Sequence, residues 1–192
     1  MFMTLESAGL RKLAARLMQS IIMLVVGLYL VLVVAGLSSN SIIFQPQPSS
    51  YTDQSLSTTL LRENPPAQLL KIDSSAGSVT AIYLPNATAE FTLLFSHGNA
   101  EDIGQDLPIL SEYRDSGFAV LAYDYNGYGT TSGHPSERVT YANVQGVYNF
   151  ATQQLHIPAD HIIAMGRSLG AQLLWISRFT IVLQGWSSNR RS

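Results

Sequence analysis

Cysteine is absent from this 192-residue chain, which excludes disulfides, cysteine-based metal sites and a thiol nucleophile. Lysine is nearly absent. Lys12 and Lys71 are the only two, and neither sits in a glycine-rich phosphate loop. Charge is scarce as well: charged residues make up 12% of the chain, against roughly 25% in an average soluble domain. The net charge of −2 gives no basic surface for nucleic acid. The four histidines are scattered without ligand spacing, so no metal and no other cofactor is expected.

What the chain does have is one long apolar run. Ile21–Leu37 (IIMLVVGLYLVLVVAGL) holds 17 residues without a charge, and Leu17 and Met18 extend it to a length that crosses the hydrocarbon core of a bilayer. A helix suits such a segment, because in lipid the backbone must satisfy its own hydrogen bonds. Arg11, Lys12 and Arg16 precede it, and no Lys or Arg occurs from Ser38 to Leu61. Positive flanks stay cytoplasmic, so a single-pass anchor is expected, with the N-terminus inside and the bulk of the chain on the extracytoplasmic side. Two other readings exist. Ala35, Gly36, Ser38 and Ser39 are small enough for a signal-peptide cleavage site, and a buried core helix is the third.

The rest divides by texture. Residues 1–16 read as a cytoplasmic tail, 17–37 as the anchor and 38–70 as a Ser/Thr/Gln/Pro-rich linker. Residues 71–178 read as an α/β domain and 179–192 as an atypical tail. Ser78–Leu84, Phe91–Ser96, Phe118–Tyr123 and His161–Met165 are predicted strands, the last three nearly unbroken apolar runs of the kind that parallel sheets bury on both faces. Between them lie helical patterns. One shows Leu107, Leu110 and Tyr113 on one face, with Pro108 in the first turn and Gly117 as a stop. The other is capped by Ser136 and shows Tyr141, Val144, Val147, Tyr148, Ala151 and Leu155. Alternating strands and helices predict a parallel sheet with right-handed crossovers.

Three of these strands run into loops that carry chemistry. Ser96-His97-Gly98-Asn99-Ala100-Glu101-Asp102 turns sharply at Gly98, where a backbone N–H can face a developing oxyanion; the plainer reading is a turn with His97 packing its base. Tyr123–Gly133 (YDYNGYGTTSG) is a tight hydrogen-bonded loop whose Asp124 is either a catalytic acid or a structural acceptor of loop N–H groups. Gly166-Arg167-Ser168-Leu169-Gly170 matches G-x-S-x-G on a strand-to-helix turn, the pattern that projects a serine oxygen; the plainer reading is a glycine-rich turn with a capping serine.

SHGNAED, YDYNGYG-x-x-SG-x-PSE and G-x-S-x-G, in this order, resemble the α/β-hydrolase-domain proteins that carry an N-terminal membrane segment, a group of esterase-like enzymes and protein thioesterases. Ile42–Asp53 (IIFQPQPSSYTD) resembles the family's approach to the domain, and the likeness runs to about Leu174. The resemblance implies the N-terminal part of an α/β-hydrolase parallel sheet, preceded by one transmembrane helix. It implies Ser168 as nucleophile, with an oxyanion hole built from the N–H groups of Leu169 and of the Gly98–Asn99 turn. Gly166 and Gly170 shape the turn, and Asp124 stays structural. The reaction implied is hydrolysis of a carboxylic ester or thioester, with a lipid or an acylated protein as substrate.

One departure stands out. In this fold the acid and then the histidine follow the serine in the chain, yet the 24 residues after Ser168 contain no Asp, Glu or His. The sequence is therefore expected to be truncated after the nucleophile turn, with impaired or absent activity. His97 is the least unfavourable substitute base; His134, His156 and His161 lie on a turn, a helix end and a strand start. The last predicted strand is expected to be an exposed edge, covered by Phe179–Leu183 or by a partner chain that completes the sheet. A non-catalytic membrane-tethered fragment or binding module is the alternative function.

Overall fold

The computed structural model describes residues 2–37 and 39–176; the expected Phe179–Leu183 strand and the 179–192 tail lie outside the described residues. The chain forms two compact units, residues 1–43 and 44–192.

The first unit holds helix α1 (Phe2–Leu37) and the short α2 (Ser39–Ile43). Within α1, Leu13–Gly36 has a mean hydropathy of 2.6 and none of it is buried. Its 24 residues span about 36 Å at 1.5 Å per residue, enough to cross a hydrocarbon core of about 30 Å. Apolar side chains such as Leu24, Tyr29 and Val31 are exposed all round the helix, unlike the one-sided stripe of a helix packed on a core.

The second unit is built on a five-stranded sheet of order β1-β2-β4-β3-β5 among the described residues. Its strands are β1 (Gln68–Ser74), β2 (Gly77–Leu84), β3 (Thr92–Ser96), β4 (Ala119–Tyr123) and β5 (Ile162–Gly166). β3 pairs in parallel with β4 on one side and β5 on the other. These three strands pair in parallel as expected, and the sheet is mixed because its other end is antiparallel. β1 and β2 form an antiparallel hairpin, and β2 runs antiparallel to β4. The cause is local: only Ser75 and Ala76 separate the paired Ser74 and Gly77, too short a connection for a crossover.

Helices cover both faces. On one face α3 (Asp53–Leu60) and α4 (Ile103–Asp115) bury Leu56, Leu60, Ile103 and Leu110 against Ile82, Leu93, Phe95, Val120 and Ala122. On the other, α5 (Glu137–Gln153) and α6 (Leu169–Ile176) bring Val144, Val147, Ala151, Leu169 and Leu173 onto Val79, Ala81, Leu94, Leu121 and Tyr123. Successive residues of β4 thus alternate between two apolar layers, which is why its sequence reads as an unbroken apolar run.

Ser136 caps α5 as expected, accepting from the Val139 N–H at 3.4 Å. α4 begins at Ile103 and is capped by Asp102, which accepts from the Gln105 N–H at 2.9 Å. Pro108 is consequently inside the helix, one turn later than expected. Residues 44–70, expected as part of a linker, contribute to the second unit. Phe44, Tyr51, Leu56, Leu60 and Ala67 are buried, and Thr52 with Ser55 forms a capping box at the start of α3.

Candidate functional site

The serine turn is built by crowding. β5 ends at Gly166 and α6 starts at Leu169, leaving Arg167 and Ser168 to reverse the chain. Ser168 takes φ = +51°, a left-handed conformation that L-residues avoid and that here lifts an exposed side chain off the end of the sheet. A Cβ on Gly170 would come within 2.7 Å of the Ser96 carbonyl carbon and 2.8 Å of the His97 oxygen, so only glycine lets α6 begin this close to β3. The Arg167 N–H donates to the Ser96 oxygen at 3.1 Å, pinning the turn beside the Ser96–Asp102 loop. Leu169 is the first residue of α6, so its N–H is among the donors that a helix leaves without an internal partner.

In the loop after β3, His97 is fully buried. Its Nδ1 lies 2.8 Å from the Gly98 oxygen, which fixes the Nδ1–H tautomer, and its ring packs against Tyr125 and Tyr128 at centroid distances of 4.3 and 5.3 Å. Nε2 has no hydrogen-bond partner and sits 3.5 Å from Asp124 Oδ1. Burial is the main cause that pulls the His97 pKa down, to about 4. The ring is therefore committed to the interior beneath the loop. The backbone N–H of Gly98 is also engaged: it donates to Glu101 Oε2 at 2.9 Å. The Asn99 side chain accepts from the Tyr128 hydroxyl at 2.6 Å and the Gln45 N–H at 2.9 Å.

Asp124, at the end of β4, is buried completely. Its Oδ1 accepts from the Ile103 N–H at 3.0 Å, and its Oδ2 accepts from the Tyr51 hydroxyl. The carboxylate thus ties the start of α4 and the segment before α3 to the centre of the sheet. Burial is the main cause that raises its pKa to about 7, with the Tyr51 and Ile103 bonds pulling it back.

The four histidines separate clearly. His161 and His156 precede β5, at the end of the sheet opposite Ser168, with a five-residue strand of about 17 Å between. His134 lies exposed in the loop after β4. Among the described residues, no cluster of His, Cys, Asp or Glu has the makings of a metal site.

Several site residues escaped sequence reasoning. Tyr51 closes on Asp124 across 73 positions, and Asp102 both caps α4 and holds Ser50 through its N–H at 2.7 Å and its hydroxyl at 2.5 Å. Arg167, a variable position of the motif, reaches back to Glu101 and lies 3.7 Å from Asp106 Oδ1. Asp106 is nearly buried, with Oδ2 unpartnered, and burial first and Glu101 second push its pKa up to about 6. An acid three residues after the His-Gly pair and a basic residue before the serine were the available signals, but nothing local says that they meet.

Comparison with known proteins agrees with this construction. No family model matches the chain. It is similar to the α/β-hydrolase domain-containing protein aho-3 of Caenorhabditis elegans, with 42% identity over 91 residues, covering 45% of this chain and 26% of that protein. It is also similar to α/β-hydrolase domain-containing protein 17B of Xenopus laevis, with 40% identity over 87 residues, 43% of this chain and 29% of that protein. The match thus spans under a third of the length of these relatives. Among solved structures, an α/β-hydrolase from Vibrio vulnificus superposes with a TM-score of 0.55 at 27% identity, over 65% of this chain and 44% of that one. The Pyrococcus furiosus esterase Pf2001, at 15% identity, shares the fold with a TM-score of 0.54 over 68% of this chain and 50% of that one. By sequence the chain is similar to α/β-hydrolase domain-containing proteins over part of their length, and by structure it has the α/β-hydrolase fold.

Proposed function

We propose that the chain carries the nucleophile side of a serine hydrolase acting on carboxylic esters or thioesters, with Ser168 as the attacking residue. The observation that carries this reading is the exposed Ser168 at φ = +51° on a strand-to-helix turn packed against the Ser96–Asp102 loop. A positive φ at an exposed serine between a strand and a helix is what a nucleophile elbow needs.

In the reaction the Ser168 oxygen bonds to the acyl carbon while its proton passes to a base. The tetrahedral oxyanion then collapses, the C–O or C–S bond breaks, and the alcohol or thiol leaves with a proton. Water repeats the sequence on the acyl-serine and restores the hydroxyl. The Leu169 N–H, at the positive end of α6, and the N–H of Asn99 are the assigned oxyanion donors. Gly98 is removed from that role by its bond to Glu101.

The base is the weak point. His97 faces inward with both ring nitrogens turned from solvent, so it is not placed to take the Ser168 proton. The esterase among the fold neighbours supports an ester substrate, and the apolar helix supports a single-pass anchor with the hydrolase unit outside. A lipid or acylated protein at the membrane is the substrate class that combines the two.

The test is p-nitrophenyl ester cleavage by the detergent-solubilised chain beside Ser168→Ala. Release of nitrophenol that disappears in the variant supports the reading; equal rates in both proteins refute it.

A further inference from the structure

The bond that withdraws Gly98 from the oxyanion hole has a second end. Ala100 takes φ = +62°, which folds Glu101 back over the turn so that Oε2 receives the Gly98 N–H at 2.9 Å. A Cβ at position 98 would lie 2.8 Å from that same oxygen, so the glycine makes room for the carboxylate. The other oxygen, Oε1, is held by the Arg167 guanidinium. Arg167 immediately precedes the nucleophile, and its own backbone N–H is fixed on the Ser96 oxygen at 3.1 Å. Its second guanidinium nitrogen faces Asp106 of α4 at 3.7 Å. One carboxylate thus touches the oxyanion loop with one oxygen and the serine turn with the other.

We propose that Glu101 and Arg167 form a strut that sets the separation between the oxyanion loop and Ser168, which makes both of them positioning residues for acyl transfer. The inference rests on the hydrolase reading above. Backbone contacts also join the two loops: Arg167 N–H on Ser96, and Gly170 against Ser96 and His97. Those contacts anchor the base of the loop at residues 96 and 97. The tip, Gly98–Ala100, which holds the assigned donor Asn99, is tied to the serine turn through Glu101. The Arg167 side chain is half exposed, so as an ion pair the strut adds little to stability. Its effect is on geometry, where a small misplacement of a donor is amplified in rate.

The experiment compares the wild type with Arg167→Gln, Arg167→Lys, Glu101→Gln and the double Gln variant in detergent, with two readouts. Amide hydrogen exchange of the peptide covering residues 96–102 reports whether the strut holds the loop. Saturable labelling of Ser168 by a fluorophosphonate separates the maximal rate from probe affinity. The strut predicts faster exchange of the loop in Arg167→Gln. It predicts a maximal labelling rate lower by about tenfold with affinity little changed, since loss of a whole oxyanion donor costs about a hundredfold or more. Arg167→Lys recovers part of the rate, and the double variant is no worse than either single one. Unchanged loop exchange in Arg167→Gln overturns the proposal, as does an additive double variant. A wild type that the probe does not label removes the hydrolase reading and the positioning role with it, whatever the exchange shows.

Discussion

Replacing Asp124 with Asn should make the folded chain lose more stability than the wild type as pH falls through the mildly acidic range. Asp124 and His97 face each other at 3.5 Å, both fully buried. Burial pulls the two in opposite directions. For Asp124 the pKa rises from 3.8 to about 7, so it contributes stability that is complete below pH 3.8 and lost as pH rises through 7. For His97 it falls from 6.5 to about 4, so it contributes stability that is complete above pH 6.5 and lost as pH falls through 4. Read as a pair, the folded chain takes up its two protons near pH 7 and pH 4, and the unfolded chain near 6.5 and 3.8. Between pH 4.5 and 6.5 each state holds one proton on the pair, so the two contributions cancel.

Asn keeps an oxygen for the Ile103 N–H, loses the acceptor for the Tyr51 hydroxyl, and removes the titrating partner, leaving His97 to refuse its proton alone; the comparison is therefore made on the pH profile and not on absolute stability. At about 1.4 kcal/mol per pH unit, Asp124→Asn loses about 3 kcal/mol more than the wild type between pH 7 and 4.5. Chemical denaturation followed by circular dichroism across that range reads the difference directly. Parallel pH profiles for the two proteins would refute the reasoning.

Two further expectations follow from the same contacts. Gly170→Ala pushes a methyl into the Ser96 and His97 backbone; it should destabilise the chain by about 1–3 kcal/mol in denaturant melts and slow Ser168 labelling. Tyr51→Phe strips Asp124 Oδ2 of its donor at a cost of about 1–3 kcal/mol. The Tyr51 bond lowers the Asp124 pKa, so that loss should be larger at pH 8, where the carboxylate is ionised, than at pH 5.

Much of this architecture can be read from sequence. The central strands announce themselves because both faces of β3 and β4 are buried, which leaves no polar positions to break the run. The serine turn is legible because crowding demands glycine on both sides of one residue. β1 was missed because it is largely half-exposed, and QLLKIDS mixes polar and apolar residues accordingly. The 44–60 segment reads as a linker by its Ser, Thr and Gln content. Its binding to the domain depends on Phe44, Tyr51, Leu56 and Leu60, four buried side chains spread through a polar stretch. Pro108 suggested a helix start because proline favours first turns, whereas Asp102 supplies the actual cap. The ties that organise the site are the least legible. Tyr51 to Asp124 spans 73 positions and Glu101 to Arg167 spans 66. Both join loops that only the folded sheet brings together, and neither leaves a periodic or local signature.

The central claim is that Ser168 is presented as a nucleophile. Fluorophosphonate treatment of the detergent-solubilised chain, followed by peptide mass mapping beside Ser168→Ala, tests it most directly. The account predicts stoichiometric modification confined to Ser168 and absent from the variant. A folded chain that remains unmodified at Ser168, or is modified equally in the Ala variant, would contradict it.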